Sequence, residues 1–336
     1  MDMRNNSVLA RLRRLGAFIA LMMLWSAPAS AQTKITIATF AGATNLPVWM
    51  ALDRGYFTRE GLEVTHEVTR GSTAAIEGLM SGRLQFASIA FDNTIANAEG
   101  QGDVNIPGYD LVGIMGVHSG MNKIVTRPEI KSFADIRGKA VASDALNSGY
   151  GIVLVRILEM NGLVYGRDFT SVAVGSGPNR LKAMQDGKAV AAALSSPDDI
   201  EAKKLGFNIL ADATEAIGAY QGSAFVVRRA WAREHEKETL AFIRAVVAAT
   251  NTVFADKPAA IAVMRGRIKG LSEADAEAVY TDLVTSKGGL NRAAKINMDG
   301  VKMLLSLRNQ FGEPKKTLTD PSKYIDLSYY EKAMAK

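Results

Sequence analysis

Short apolar runs rich in Val, Ile and Ala alternate along this 336-residue chain with stretches of helical periodicity, and that alternation leaves few folds open. Such a run needs both faces covered, and a helix returned between successive runs covers them. The pattern therefore predicts an α/β class with parallel sheets built from strand–helix–strand units. Predicted strands fall in two series. The first is 34–39, 63–68, 85–89 and 110–117; the second is 123–126, 140–142, 171–174, 189–194 and 207–211.

The two series echo each other. Leu79-Met80-Ser81-Gly82-Arg83-Leu84 runs into a small-residue strand and then Phe91-Asp92-Asn93, while Met184-Gln185-Asp186-Gly187-Lys188-Ala189 runs into another and then Ser196-Pro197-Asp198. Both read as helix, glycine C-cap, buried strand and a polar turn opening a helix. Any α/β chain can repeat this cassette; two similar lobes, each with its own sheet, explain it more fully. After Gly222 a strand at 223–227 precedes helical stretches at 231–255, 258–268, 273–283 and 299–311. No low-complexity linker occurs, so short hinges near 118–121 and 220–222 are expected to join the lobes.

The N-terminus carries Arg4, Arg11, Arg13 and Arg14, an apolar run over 15–25, and then Ala29-Ser30-Ala31. A basic head, a short apolar stretch and small residues at −3 and −1 are the parts of a cleavable export signal. The run is short for a membrane span; an uncleaved anchor is the alternative. Cleavage after Ala31 would remove four Arg and one Asp, half of the formal +6. The basicity is thus no sign of nucleic-acid binding. The absence of cysteine excludes disulfides, thiol catalysis and a lipid-anchored N-terminus. His66, His118 and His235 lie far apart without ligand spacing, so neither a metal nor another cofactor is expected.

Pro47 to Gly82 carries P-V-W-M-A-L-D-R-G-Y-F-T-R-E-G-L-E-V, a strand ending at G-S-T, and a helix running to L-M-S-G. With K-S-F-A-D-I-R-G-K-A-V at Lys131–Val141 and V-G-S-G-P-N-R at Val174–Arg180, the chain resembles the nitrate/sulfonate/taurine-type substrate-binding proteins of ABC transporters, within the thiamine-pyrimidine synthase-like superfamily. The resemblance covers most of the chain beyond the signal and is weakest after Trp231. Gln85 and Val190 stand where that family often has an acidic residue, and His118-Ser119-Gly120-Met121-Asn122 is unlike its sulfonate and nitrate branches. Their ligand is therefore not carried over. The resemblance implies a type II periplasmic-binding-protein fold: two α/β lobes joined by two crossover strands, with the ligand cleft between. Lobe 1 would hold 32–120 and 222–336, and lobe 2 would hold 121–221.

Ligands of open parallel sheets bind beyond the carboxyl ends of the strands, where helix N-termini offer free N–H groups. The first such turn offers Thr44 and Asn45, with Trp49 as either an apolar wall or core packing. The second offers Gly71, Ser72 and Thr73, suited to cradle an oxyanion or to cap the helix. In the third, Asp92 reads as a cap, and Phe91 and Asn93 are candidate contacts. The second lobe offers Asn147, Ser148, Gly149 and Tyr150, then Arg180 as an anion clamp or a brace of its turn. Ser196 reads as an N-cap with Pro197 at the first helical position and carboxylates complementing the dipole. At the return hinge, Tyr220 and Gln221 face the expected cleft.

The expected function is a periplasmic solute-binding component of an ABC importer. It would be a monomer that captures a small organic anion, sulfonate or carboxylate and conceivably aromatic, and delivers it to an inner-membrane permease. A periplasmic sensor partner of a membrane receptor is the alternative. A pyrimidine synthase-like enzyme fits worse, because its chemistry in that relative group is expected to use histidine and a cysteine-rich motif. No catalytic constellation stands out.

Overall fold

Ten strands form two five-stranded sheets among the residues that the computed structural model describes, 32–335 without 103, 105, 121 and 146. The predicted signal lies outside those residues. The first sheet contains β1 (Thr33–Thr39), β2 (Leu62–Val68), β3 (Phe86–Ala90), β4 (Leu111–His118) and β10 (Ser223–Arg228), in the order β2-β1-β3-β10-β4. The second contains β5 (Lys123–Thr126), β6 (Lys139–Ser143), β7 (Phe169–Ala173), β8 (Ala191–Leu194) and β9 (Asn208–Asp212), in the order β7-β6-β8-β5-β9. The two orders are the same pattern, so the sequence echo marks equivalent places. Gly82 and Gly187, at φ +79° and +74°, each end a helix four positions before a central strand. A left-handed φ suits glycine there because it has no Cβ.

Both sheets are mixed, which corrects the wholly parallel expectation. β10 runs antiparallel to β3 and β4, and β5 antiparallel to β8 and β9. These are the two strands through which the chain enters a sheet from the other one, between His118 and Lys123 and again between Ile217 and Ser223. The central strands β3 and β8 are buried along their whole length. Their small residues let helices approach both faces.

Aromatic rings fix one side of the first sheet. Phe86 stacks on Phe242 with ring centroids 4.0 Å apart, and Phe225 meets the same ring edge-on at 5.0 Å. Phe242 belongs to Glu236–Ala255, a helix long and apolar enough to cross a membrane, but its Phe242, Ile243, Val246 and Val253 lie in this core. The helix expected over 231–255 is broken at His235 (φ −123°, ψ 48°), whose ring stacks on Trp231.

Ion pairs join the halves. Lys123 reaches Asp199 at 2.9 Å and Asp282 at 3.1 Å, and Lys287 reaches Glu215 at 2.8 Å. The helix expected to begin at Pro197 begins at Asp198 instead: the Ser196 hydroxyl donates to the Asp199 carboxylate at 2.7 Å and caps no N–H.

Candidate functional site

The turns after β1, β2 and β3 and those after β6, β7 and β8 line a shared cavity of about 260 Å³. This is the placement expected of open sheets, where the chain leaves the carboxyl end of each strand. From the first sheet come Phe40, Thr44, Arg70, Gly71, Ser72 and Thr73, with Asn93 and Asn97 behind them. Ser72 opens the helix Ser72–Met80 and accepts a hydrogen bond from the Asn93 carboxamide; Asn97 in turn donates to the Asn93 carbonyl at 2.7 Å. This wall is mostly neutral, with Arg70 exposed at its edge.

The second-sheet wall is charged. Ser148 caps the helix Gly149–Met160 by accepting from the Gly151 N–H at 3.1 Å, and its hydroxyl donates to Asp144. Asn147 and Tyr150 complete that turn in the cavity. Arg180, on the helix Gly177–Gln185, is 7% exposed; its side chain forms no hydrogen bond or ion pair among the described residues, and its Nε is buried without a partner. A buried guanidinium left in that state has a strong demand for an anion. Beside it stands Asp198, whose pKa is pushed up to about 6 by burial and held back by Arg180.

His118, Asn122 and Ser223 close the floor where the chain crosses between sheets. His118 Nδ1 accepts the Gly120 N–H at 3.2 Å, so neutral His118 carries its proton on Nε2 and donates toward Ser223 Oγ at 3.1 Å. Burial lowers its pKa to about 4, keeping it neutral. This is the wrong tautomer for a general base acting on Ser223, and the pair is no nucleophile–base dyad. Tyr150 Oη lies 3.5 Å from the same Nε2, and burial pushes its pKa up to about 12.

Of the residues singled out from sequence, Thr44, Gly71, Ser72, Thr73, Asn93, Asn147, Ser148, Tyr150 and Arg180 line this cavity. Six others lie behind it. The Asn45 carboxamide donates to the Phe40 carbonyl. Trp49 is buried in the core against the first sheet, on a helix, Leu46–Asp53, whose first six residues are all buried. The Phe91 ring packs over Gly113, where a Cβ would meet its Cε2 at 2.6 Å. Gly149 abuts Asp92, and the Tyr220 hydroxyl is buried beside it. Gln221 ties the hinge, donating to the Ser223 carbonyl at 2.7 Å and accepting the Asn297 N–H at 2.7 Å. Asp92 is no cap: it forms a buried ion pair with Arg308. Sequence reasoning passed over His118, Asn122, Asp144 and Asp198 as contacts. Asp144 follows the end of β6 directly, a signal that was available; Asp198 was absorbed by its role at a helix start.

The fold is that of periplasmic binding proteins. The chain belongs to the NMT1-like family, whose model matches residues 28–268. Among solved structures, it is similar to the periplasmic nitrate-binding protein of Synechocystis PCC 6803 (13% identity, 90% of this chain and 88% of that one, TM-score 0.75). It is also similar to the ligand-binding component of an ABC-type import system from Staphylococcus aureus, solved with zinc bound (15%, 90% and 99%, 0.72). A third is the alkanesulfonate-binding protein of Xanthomonas axonopodis pv. citri bound to MOPS (17%, 89% and 99%, 0.70). The chain matches no curated relative by sequence.

Proposed function

We propose that this protein is the solute-binding component of an ABC importer, working in the periplasm after cleavage behind Ala31, and that it captures a small organic anion between two lobes and delivers it to a membrane permease. The lobes would be 32–120 with 222–336, and 121–221. The observation that carries this reading is Arg180, 93% removed from solvent and with its side chain unpaired among the described residues, in a cavity that also offers hydroxyls, amides and helix starts. The import and binding roles printed for the similar structures support it. Thr44, Gly71, Ser72, Thr73, Asn93, Asn147, Ser148 and Tyr150 would complete the ligand contacts. Closure requires only that the ligand bind the closed arrangement better than the open one. Binding rather than catalysis is favoured because the Ser223–His118 pair has the wrong tautomer for nucleophilic chemistry.

The test is a thermal-shift screen of protein from Gln32 onward against carboxylates, sulfonates, nitrate, amino acids and pyrimidines. A ligand at a hundred times its Kd stabilises by about 2.7 kcal/mol, a shift of several degrees. An anion hit that disappears in Arg180→Gln supports the reading; stabilisation by cations or neutral solutes alone refutes it.

A further inference from the structure

Two adjacent carboxylates on one helix meet opposite fates. Asp199 is satisfied by Lys123 at 2.9 Å and by the Ser196 hydroxyl at 2.7 Å. The carboxylate of Asp198, the residue before it, accepts no hydrogen bond and joins no ion pair among the described residues, although it faces the cavity. Its Oδ2 overlies Gly177 so closely that a Cβ there would strike it, and Arg180 Nη2 lies 3.7 Å from the same point. Carboxylate and guanidinium are therefore neighbours that do not touch, each with unused hydrogen-bonding capacity turned to the cavity.

The charge around the cavity is balanced: Arg70 and Arg180 on one side of the ledger, Asp144 and Asp198 on the other. Asp144 is occupied by the Ser148 hydroxyl, and Asp198 is not. A simple anion on Arg180 would sit beside an uncompensated carboxylate, an arrangement that like-charge repulsion disfavours in a site of low dielectric. A ligand bearing both charges satisfies both groups at once.

Building on the solute-binding reading above, we propose that the cleft selects an organic anion that also carries an ammonium or similar N–H⁺ group a few bonds from its anionic head, with Arg180 taking the anion and Asp198 the nitrogen. Gly177 is then a specificity position, because its missing Cβ is the space that lets Asp198 lean over the cavity.

The experiment is calorimetric titration with matched pairs that differ by one amino group: propanoate and 3-aminopropanoate, butanoate and 4-aminobutanoate, ethanesulfonate and 2-aminoethanesulfonate. In at least one pair the amino member should bind ten times more tightly or better. Asp198→Asn should bring that ratio to about one, and Gly177→Ala, which displaces the carboxylate without removing its charge, should lower it as well. Arg180→Gln should weaken both members. Equal or weaker binding of every amino member, or a ratio that survives Asp198→Asn, overturns the proposal. If plain anions bind and amino partners do not, the solute-binding reading stands alone. If neither series binds while the broad screen finds another class, this inference fails and the screen decides the other.

Discussion

Behind the cavity and again in its wall an aspartate lies beside an arginine, and the two regions treat the couple in opposite ways. Asp92 and Arg308 are sealed from solvent and bonded to each other, and Arg308 also donates to the Asn147 carbonyl at 2.6 Å, at the base of a turn that lines the cavity. Arg180 is buried and Asp198 half-buried, yet they stay apart and face the cavity. The first arrangement spends charge on holding a backbone turn in place. The second leaves charge available, which lowers the stability of the empty protein and is useful only if something binds there.

The comparison breaks most directly by stability. Asp92→Asn or Arg308→Met leaves an uncompensated buried partner and should cost about 3–5 kcal/mol, read as a lowered urea midpoint. Asp198→Asn should do the reverse and raise stability at pH 7, because it removes a desolvated carboxylate. Equal losses at the two places would mean that both couples are structural.

A somewhat smaller effect separates them by pH. In the fold Asp198 holds its proton to about pH 6, against 3.8 unperturbed. The folded state thus binds more protons between those values, and stability falls as pH rises through the window. His118 works against this: its pKa is lowered from 6.5 to about 4, so the unfolded chain binds more protons there and stability falls as pH drops. Arg180 and Asp199 act on Asp198, while Ser223, Tyr150 and the Gly120 N–H surround His118. Each contribution is on the order of 3 kcal/mol, and the two oppose. Urea midpoints from pH 4 to 6.5 should show it: His118→Gln should lose stability as pH rises, and Asp198→Asn should lose it as pH falls. Parallel slopes in the two variants would remove the electrostatic distinction.

Much of the scaffold was legible because period and punctuation are local. All ten strands fall within two residues of their expected limits, and Gly82 with Gly187 announced equivalent central strands. The direction of β5 and β10 was not legible, since nothing in a strand records from which sheet the chain arrives. At the site, the turns themselves were readable as strand ends that open helices. Which side chain of a turn looks inward was less so. Phe91 turns away because Gly113 leaves room for its ring, and Trp49 because the long helix Glu236–Ala255 lies over its own. Asp198 reads locally as one more acid at a helix start; its approach to Gly177, twenty-one positions earlier, exists only in three dimensions.

The smallest effects should sharpen the contrast between the walls by affinity. Arg180→Gln removes the one buried cation among the described residues that line the cavity and should weaken an anionic ligand by about 2 kcal/mol or more, roughly thirtyfold. Ser72→Ala and Thr73→Ala each remove a neutral hydroxyl from the first-sheet wall and should cost about 0.5–1.5 kcal/mol, two- to tenfold. Ser72 also accepts from Asn93, so its loss leaves that carboxamide seeking another acceptor and should fall at the upper end. Calorimetric titration of the three variants with the same ligand orders them. If the hydroxyl variants lost as much as Arg180→Gln, recognition would be spread evenly over both walls, and the neutral wall would be doing more than shaping the space around a ligand chosen by charge.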